Sequence, residues 1–145
     1  MGSLDLETYA AFETLYDANT TLEGLTLGGF VRHDYRDGNI HNNRIEYRMV
    51  ADNDVSGSGV TIRRCTAHLT MIVTREHAFG LGDTPEASGE MEQIERQMES
   101  TFAGVIPSGT EWGFSTTSHP RWSGTTVTDE TVSKTMTVSF VGAKS

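Results

Sequence analysis

The residues that could hold a metal ion are the histidines, of which the chain has five. A structural zinc site needs four Cys or His ligands at short spacings, and a catalytic zinc site needs three protein ligands. The chain has a single cysteine, Cys65, and no two histidines lie at a zinc-site spacing. The one local group in the sequence that a metal could use is His33, Asp34 and His41. Loop and surface histidines are the more common case, and we predict neither a metal site nor a cofactor.

Two glycine-containing segments resemble phosphate-binding loops in composition only. Residues 80–83 read GLGD, but they lack the lysine and the spacing of a Walker loop, and no GxGxxG occurs. Residues 56–59 read SGSG and precede a predicted strand, which offers an anion no helix N-terminus. No serine lies in a GxSxG motif, and Cys65 falls on the apolar face of a predicted strand, where a thiol acts as a small core residue. We therefore predict that the chain is not an enzyme.

Length and charge narrow the class of protein. A chain of 145 residues corresponds to one domain, residues 1–145, with room for a real core. Its 20 acidic and 11 basic residues give a net charge of −9. Because affinity for a phosphate backbone comes from Lys and Arg, we expect no non-specific DNA binding. The acidity is typical of an acidic cytosolic protein and also compatible with a high-salt habitat.

No signal-peptide pattern or apolar run of membrane-span length occurs, so we expect no membrane association.

The clearest element is a strand from Ile62 to Thr74. Apolar residues occupy every second position, and polar residues occupy the positions between, which is typical of a half-buried strand. The apolar set is Cys65, Ala67, Leu69, Met71 and Val73, and the polar set is Arg64, Thr66, His68 and Thr70. We predict that this is the central strand of a sheet.

Two amphipathic helices are predicted to cover that sheet. The first runs from Leu6 to about Ala18, with Ser3 or Asp5 as its cap and Asn19 at its end. The second begins at Thr84 and Pro85 and carries an apolar stripe of Ala87, Met91, Ile94, Met98, Phe102 and Val105. Gly24, Gly28 and Gly29 interrupt the residues between the first helix and the strands. We therefore predict an irregular connection over Thr20–Arg36, with a short strand near Phe30–Tyr35.

The remaining pattern is that of an antiparallel sheet. Strands are predicted at Arg44–Met49, around Trp112 and Phe114, at Arg121–Thr128 and at Val132–Val141. Residues 51–59 are polar and rich in glycine, and we interpret them as a long mobile hairpin loop that is either an interaction arm or a surface loop with no partner. The predicted fold class is α+β, with a mainly antiparallel sheet, two helices packed on one face and the order α-β-β-α-β-β-β.

The order and lengths of these segments resemble one family. The segments LETYAAFETLY, RIEYRMV, RRCTAHLTMIVT, EMEQIERQMESTF, EWGFSTT and SKTMTVSFVG are similar to the small tail-terminator and tail-completion (neck) proteins of tailed bacteriophages and archaeal tailed viruses. The resemblance implies a virion structural protein without catalysis. Its subunits would form a ring, typically a hexamer, that caps the tail tube at the head-tail junction.

The same resemblance implies the partners and the location. The ring would join the tail-tube protein to the head-connector protein and leave a DNA channel, and it would be assembled in the host cytoplasm. An acidic lumen suits this role, because carboxylates repel the duplex and let it slide without specific binding. We expect contacts between subunits or with the neck at the 51–60 loop, the 37–43 turn and the strand near Trp122. The residues concerned are Asp52, Asn53, Asp54, Val55, Asn39, His41 and Trp122.

Two alternatives remain open at this stage. Within the same virion, the chain could be a tail-tube or a head-closure subunit. From a different class, it could be a small-ligand-binding α+β domain whose sheet curves around a pocket lined by Tyr47, Met71 and Trp112. The oligomeric state separates the second alternative from the ring.

Overall fold

One seven-stranded sheet organises the chain, and its helices cover one face. The computed structural model describes residues 3–32, 43–57, 59–74, 89–128 and 131–144. The helices are α1 (Leu4–Asp17), α2 (Thr20–Leu25) and α3 (Gly89–Phe102). The strands are β1 (Phe30–Arg32), β2 (Arg44–Asp54), β3 (Thr61–Thr74), β4 (Gly113–Thr116), β5 (Arg121–Trp122), β6 (Thr126–Val127) and β7 (Thr131–Lys144). The α+β class is confirmed.

The sheet is antiparallel except at one edge. Its order is β1-β2-β3-β7-β4, and β5 and β6 pair with β7 beyond the end of β4. β1 runs parallel to β2, whereas all other pairs are antiparallel. β3 pairs with β7 along its full length, from Thr61 opposite Lys144 to Thr74 opposite Thr131. The prediction of a central strand is therefore confirmed.

The sheet has an inner face against the helices and an outer face opposite them. The odd-numbered residues of β3 from Cys65 to Val73 are fully buried on the inner face. In β7 the even-numbered positions lie on the same face, and four of them are fully buried: Val132, Met136, Val138 and Phe140. The residues between them are only half-buried. This alternation follows from the two-residue period of a strand.

Aromatic rings join the helices to the inner face. Phe12 of α1 is completely buried and contacts aromatic rings of β2, β7 and α3. Its ring centroid is 6.1 Å from that of Tyr47, 6.0 Å from that of Phe140 and 5.9 Å from that of Phe102. Contacts of this geometry stabilise by more than their buried area alone. Phe12 is therefore the centre of the core.

A helix occupies part of the segment predicted to be irregular. α1 ends at Asp17 with Ala18 as its C-cap, so Asn19 follows the helix end as predicted, but its side chain also accepts a hydrogen bond from the Leu22 amide at 3.0 Å and begins α2. Leu22 is completely buried, while a Cβ at Gly24 would meet no other atom within 4 Å. Gly24 is thus tolerated on the exposed side of a short, well-capped helix. The described residues form three helices, not the two that were predicted.

The second half of the chain is attached to α1 by a buried carboxylate. Glu7 Oε1 accepts hydrogen bonds from the Glu111 amide at 2.8 Å and the Trp112 amide at 3.2 Å. Ser3 caps the same helix end by accepting from Leu6 N at 3.1 Å. Trp112 was predicted to lie in a strand, but it precedes β4 and is placed by these bonds. The weak strand predicted over Arg121–Thr128 is two short pieces, β5 and β6.

Candidate interaction surfaces

The hairpin formed by β2 and β3 is longer than predicted, and its loop is shorter. Residues 51–54, predicted to belong to a mobile loop, continue β2 and pair with residues 63–66 of β3. The prediction of a loop over these residues is wrong. The end of the hairpin covers little of the core, so its strand residues are polar and have the composition of a loop. Asp52, Asn53 and Asp54 are strand residues with exposed side chains.

A β-bulge at Val50 sets the direction of these side chains. Met49 lies opposite Ala67 and Ala51 lies opposite Thr66, so Val50 is an extra residue in β2. One extra residue shifts the alternation of the strand by one position. As a result, Asp52 lies opposite Cys65 and Asp54 lies opposite Arg63. Both carboxylates therefore point to the inner-face side of the hairpin, beyond the helices.

Arg63 joins the two carboxylates at the hairpin end. Its Nε donates to Asp52 Oδ1 at 2.7 Å, and its second guanidinium nitrogen lies 3.9 Å from Asp54 Oδ2. Hydrogen bonds from the side chain and amide of Ser56, together with the charge of Arg63, lower the pKa of the Asp54 carboxyl. Arg63 therefore compensates one of the two negative charges at the end of the hairpin, and hydrogen bonds from Ser56 stabilise the carboxylate of Asp54.

The turn is closed by further hydrogen bonds. The Val55 amide donates to the Ile62 carbonyl at 2.9 Å, and the Ile62 amide donates to Ser56 Oγ at 3.0 Å. Gly59 has a φ of +75°, a conformation that side chains with a Cβ rarely adopt. Val55 and Val60 remain 43% and 42% exposed. The hairpin end thus presents two apolar side chains on a hydrogen-bonded turn.

Trp122 lies at the other edge of the sheet, against α3. It is opposite Met136 and so belongs to the inner face. Its indole Nε1 donates to Glu99 Oε1 at 2.7 Å, and Lys134 Nζ is 5.3 Å from its ring centroid. Lys134 also pairs with Glu95 of α3 at 2.6 Å. The half-buried indole thus ties the sheet edge to α3, and its predicted role in a contact between proteins stays a prediction.

Several predicted site residues lie outside the described part of the chain. These are Asn39 and His41, together with the other members of the possible metal group, His33 and Asp34. Among the described residues, no group of three or more His, Cys, Asp or Glu side chains could hold a metal ion. Within the same residues, no helix combines the length and the apolar character needed to cross a bilayer.

The residues proposed to line a ligand pocket are core residues. Met71 is completely buried, and Tyr47 and Trp112 are 2% and 8% exposed. Burial raises the pKa of the Tyr47 hydroxyl, which donates to Asp5 Oδ1 at 2.8 Å. These side chains belong to the core cluster, so they do not line a pocket that is open to solvent. Cys65 is also buried, as predicted, and burial raises the pKa of its thiol to about 11.

The outer face brings together arginines that are far apart in sequence. The strand register places Arg48 opposite His68, His68 opposite Thr137, and Thr137 opposite Arg121. Arg64 lies on the same face, opposite Val141. We call Arg48, Arg64 and Arg121 the basic patch. All three are exposed, and none forms an ion pair with another described residue.

Hydroxyl and imidazole side chains lie around the basic patch on the outer face. The outer positions of β3 and β7 include Thr66, Thr70, Thr135 and Ser139, and the hydroxyls of Thr70 and Thr135 lie 2.9 Å apart. Burial, and then the charge of Arg48, lower the pKa of His68, so the neutral imidazole is favoured. Alternation in the sequence indicated that Arg48, Arg64 and His68 were polar-face residues. Their juxtaposition with Arg121 could be seen only from the strand register.

The helical layer has the opposite charge. Its acidic residues with described, exposed or half-buried side chains are Asp5, Glu13, Asp17, Glu23, Glu92, Glu95 and Glu99, and Asp5 pairs with Arg32 at 2.8 Å. Within the described residues, Glu92 pairs with Arg96 and Glu95 pairs with Lys134, whereas Glu13, Asp17, Glu23 and Glu99 have no cationic partner. On the outer face the strand register places one described acidic residue, Glu46, which pairs with Arg44 at 2.7 Å. Among the described residues, the outer face is therefore basic and the helical layer is acidic.

Comparison with known proteins identifies similar folds only. No family model matches the chain, and no curated protein matches it. Two solved structures share the fold over nearly its full length. One is a protein whose name states no function, with a TM-score of 0.57, 12% identity, and coverage of 92% of this chain and 91% of the other. The second is a chain from the virion of a native gene transfer agent (GTA) particle, with a TM-score of 0.50, 14% identity, and coverage of 92% and 93%.

Proposed function

We propose that this protein is a virion structural protein that forms a hexameric ring at the head-tail junction. The observation that carries the proposal is the shared fold with a chain of the GTA virion, which spans 92% of this chain and 93% of the other. The match has a similar extent in both chains, so the shared fold covers nearly all of each chain. The resemblance of the segment order to tail-terminator proteins supports the same assignment.

In this proposal the ring terminates the tail tube and joins it to the head connector, with no catalytic step. Its partners are the tail-tube protein and the head-connector protein, and its location is the virion after assembly in the host cytoplasm. The net charge of −9 suits a ring around DNA, because an acidic surface gives the duplex no phosphate ligands and lets it pass.

One of the two sheet edges disfavours strand addition between subunits. β1 has three residues and leaves residues 48–54 of β2 without an outer strand partner among the described residues, whereas the opposite edge is divided among β4, β5 and β6, which have four, two and two residues. Short, interrupted edges disfavour open-ended pairing between sheets. A closed ring, as opposed to an aggregate of paired sheets, is compatible with that arrangement.

The direct test is the mass of the purified protein in solution. We expect mass photometry to show one closed species near six subunits. A protein that stays monomeric at every salt concentration and protein concentration tested would contradict the ring. A tail-tube subunit would instead polymerise into open filaments, because its contacts repeat along the tube axis.

The hairpin end is the proposed contact arm of the ring. Deleting residues 53–58 removes Asn53, Asp54, Val55 and the turn, and we expect the ring population to fall while β3 and β7 remain paired. Thermal melting of the same variant checks that the subunit is folded. An unchanged ring mass after the deletion would remove the hairpin end from the interface and leave the ring proposal standing.

A further inference from the structure

The basic patch and the acidic helices lie on opposite sides of one sheet. The patch consists of three exposed arginines without a carboxylate partner among the described residues, in a chain whose net charge is −9. Exposed arginines that a fold does not use internally are available to bind anions. The question is which anionic partner fits their arrangement.

The spacing of the patch excludes a small anion as the ligand of all three arginines. Arg48 and Arg121 are separated by three strand spacings in the row through His68 and Thr137, which corresponds to about 14 Å. Arg64 is four residues from His68 along β3, or about 13 Å. One phosphate or carboxylate cannot reach all three side chains. The partner must therefore present several separated negative charges on an extended surface.

Two kinds of partner have such a surface, namely a nucleic acid and an acidic protein. Three arginines would neutralise about three phosphates, which gives weak and strongly salt-dependent binding. The remainder of this chain is acidic and would repel the duplex around the patch. An acidic protein surface avoids both the weak binding and the repulsion. Its negative charges need to face only the three arginines of the basic patch. The helical layer of this same chain is such a surface, with Glu13, Asp17, Glu23 and Glu99 unpaired by cations among the described residues.

We propose that the outer face of one subunit docks against the acidic helical layer of the next copy of the chain. The inference rests on the proposed ring and names the two surfaces that meet in it. The contact is heterologous, because two different surfaces of the subunit are used, and heterologous contacts generate rings when the rotation closes. Arginine and carboxylate groups form charge-assisted hydrogen bonds, and the threonine hydroxyls around them supply neutral donors and acceptors.

The test uses charge reversal on each surface separately. One variant, R48E/R121E, makes the outer face acidic, and the other, D17R/E92R, makes the helical layer less acidic and more basic. We expect each variant alone to sediment as a monomer in analytical ultracentrifugation and to unfold cooperatively on heating, as a folded subunit does. An equimolar mixture should regain the wild-type sedimentation coefficient, because each altered face then meets a complementary one. Loss of folding cannot produce this rescue.

A conservative variant and a DNA measurement complete the design. R48K/R121K keeps the charge and should retain assembly, with greater sensitivity to salt. If R48E/R121E sediments like the wild type, the docking proposal is wrong and the ring proposal stands. If that variant still forms the ring but binds duplex DNA less than the wild type does, the outer face is a nucleic-acid surface. The docking proposal is wrong in that case as well. If the wild-type chain itself never assembles, the ring proposal and the docking proposal both fail.

Discussion

The two faces of the same strands differ in what they do for the molecule. On the inner face, Cys65, Leu69 and Met136 are completely buried against the helices. One residue away, Arg64, His68 and Thr137 lie on the outer face and remain half-buried or exposed. The inner face holds the fold together by excluding water, whereas the outer face contributes little to a core and is free to carry charge.

This difference separates stability from assembly within a few residues of sequence. Because the side-chain period of a strand is two residues, neighbouring positions in β7 belong to different surfaces. Substitutions on the inner face should alter the free energy of unfolding. Substitutions on the outer face should alter association and leave unfolding nearly unchanged.

The largest expected effect comes from adjacent residues of β7. Met136→Ala removes a completely buried side chain and should lower the free energy of unfolding by about 3 kcal/mol, since it leaves a cavity. Thr137→Ala, one residue further on the outer face, should change it by less than about 0.5 kcal/mol. Urea unfolding followed by circular dichroism measures both variants. Similar losses for the two would mean that the outer face is part of a core.

The second effect concerns the carboxylate that joins α1 to the second half of the chain. Glu7→Ala leaves the amides of Glu111 and Trp112 without their acceptor and should lower the free energy of unfolding by about 2 kcal/mol. Gly109→Ala should also destabilise, because a Cβ there collides with the Glu7 carboxylate. Asp17→Ala on the exposed surface of α1 is the control for a lost acidic residue, with all variants measured as monomers so that assembly does not contribute. An unchanged melting temperature for both test variants would show that the hydrogen bonds of Glu7 do not stabilise the fold.

A smaller effect is expected at the hairpin turn. Gly59 has a φ of +75°, so Gly59→Ala should cost about 1 kcal/mol of local stability. Gly57→Ala is the matched control, because Gly57 is not among the residues with positive φ and a Cβ there meets no atom within 4 Å. Hydrogen exchange of the Val55 and Ile62 amides reports the change. Equal exchange in the two variants would mean that the turn conformation does not stabilise the hairpin.

The smallest effect is the titration of His68 on the outer face. Burial, and then the charge of Arg48, lower the pKa of His68 from its ordinary value of 6.5. The unfolded chain therefore binds more protons than the folded chain, and stability should fall as the pH drops below 6.5 and level off once the folded imidazole is protonated. An NMR titration of the monomeric protein should place this pKa below 6.5 and show it rising in Arg48→Gln. A His68 pKa at or above 6.5 would contradict the environment described.

Much of the fold follows from local pattern, but the candidate surfaces do not. The alternation in β3 and β7 and the stripe of Ile94, Met98 and Phe102 identify the central strands and α3, because burial on one face imposes a period on the sequence. Val105 was predicted to continue that stripe, which is wrong, because it lies after the end of α3 and is 85% exposed. The six-residue helix α2 was missed because Asn19 resembles the end of the preceding helix and Gly24 resembles a break.

The hairpin end and the basic patch needed the structure for a different reason. Asp52, Asn53 and Asp54 are polar because neither face of the hairpin end is buried, and such a strand has the composition of a loop. Arg121 meets the row of Arg48 and His68 only because β5 pairs with β7. Pairing of a two-residue strand across more than ten residues of chain leaves no periodic signal in the sequence.

The most direct test of the account is an electron cryo-microscopy reconstruction of the purified wild-type protein. The account predicts a closed ring with a central channel in which Arg48 and Arg121 of each subunit face α1 and α3 of its neighbour. A monomer, or a ring in which the outer face of every subunit remains solvent-exposed, would contradict the division of the sheet into a folding face and a docking face.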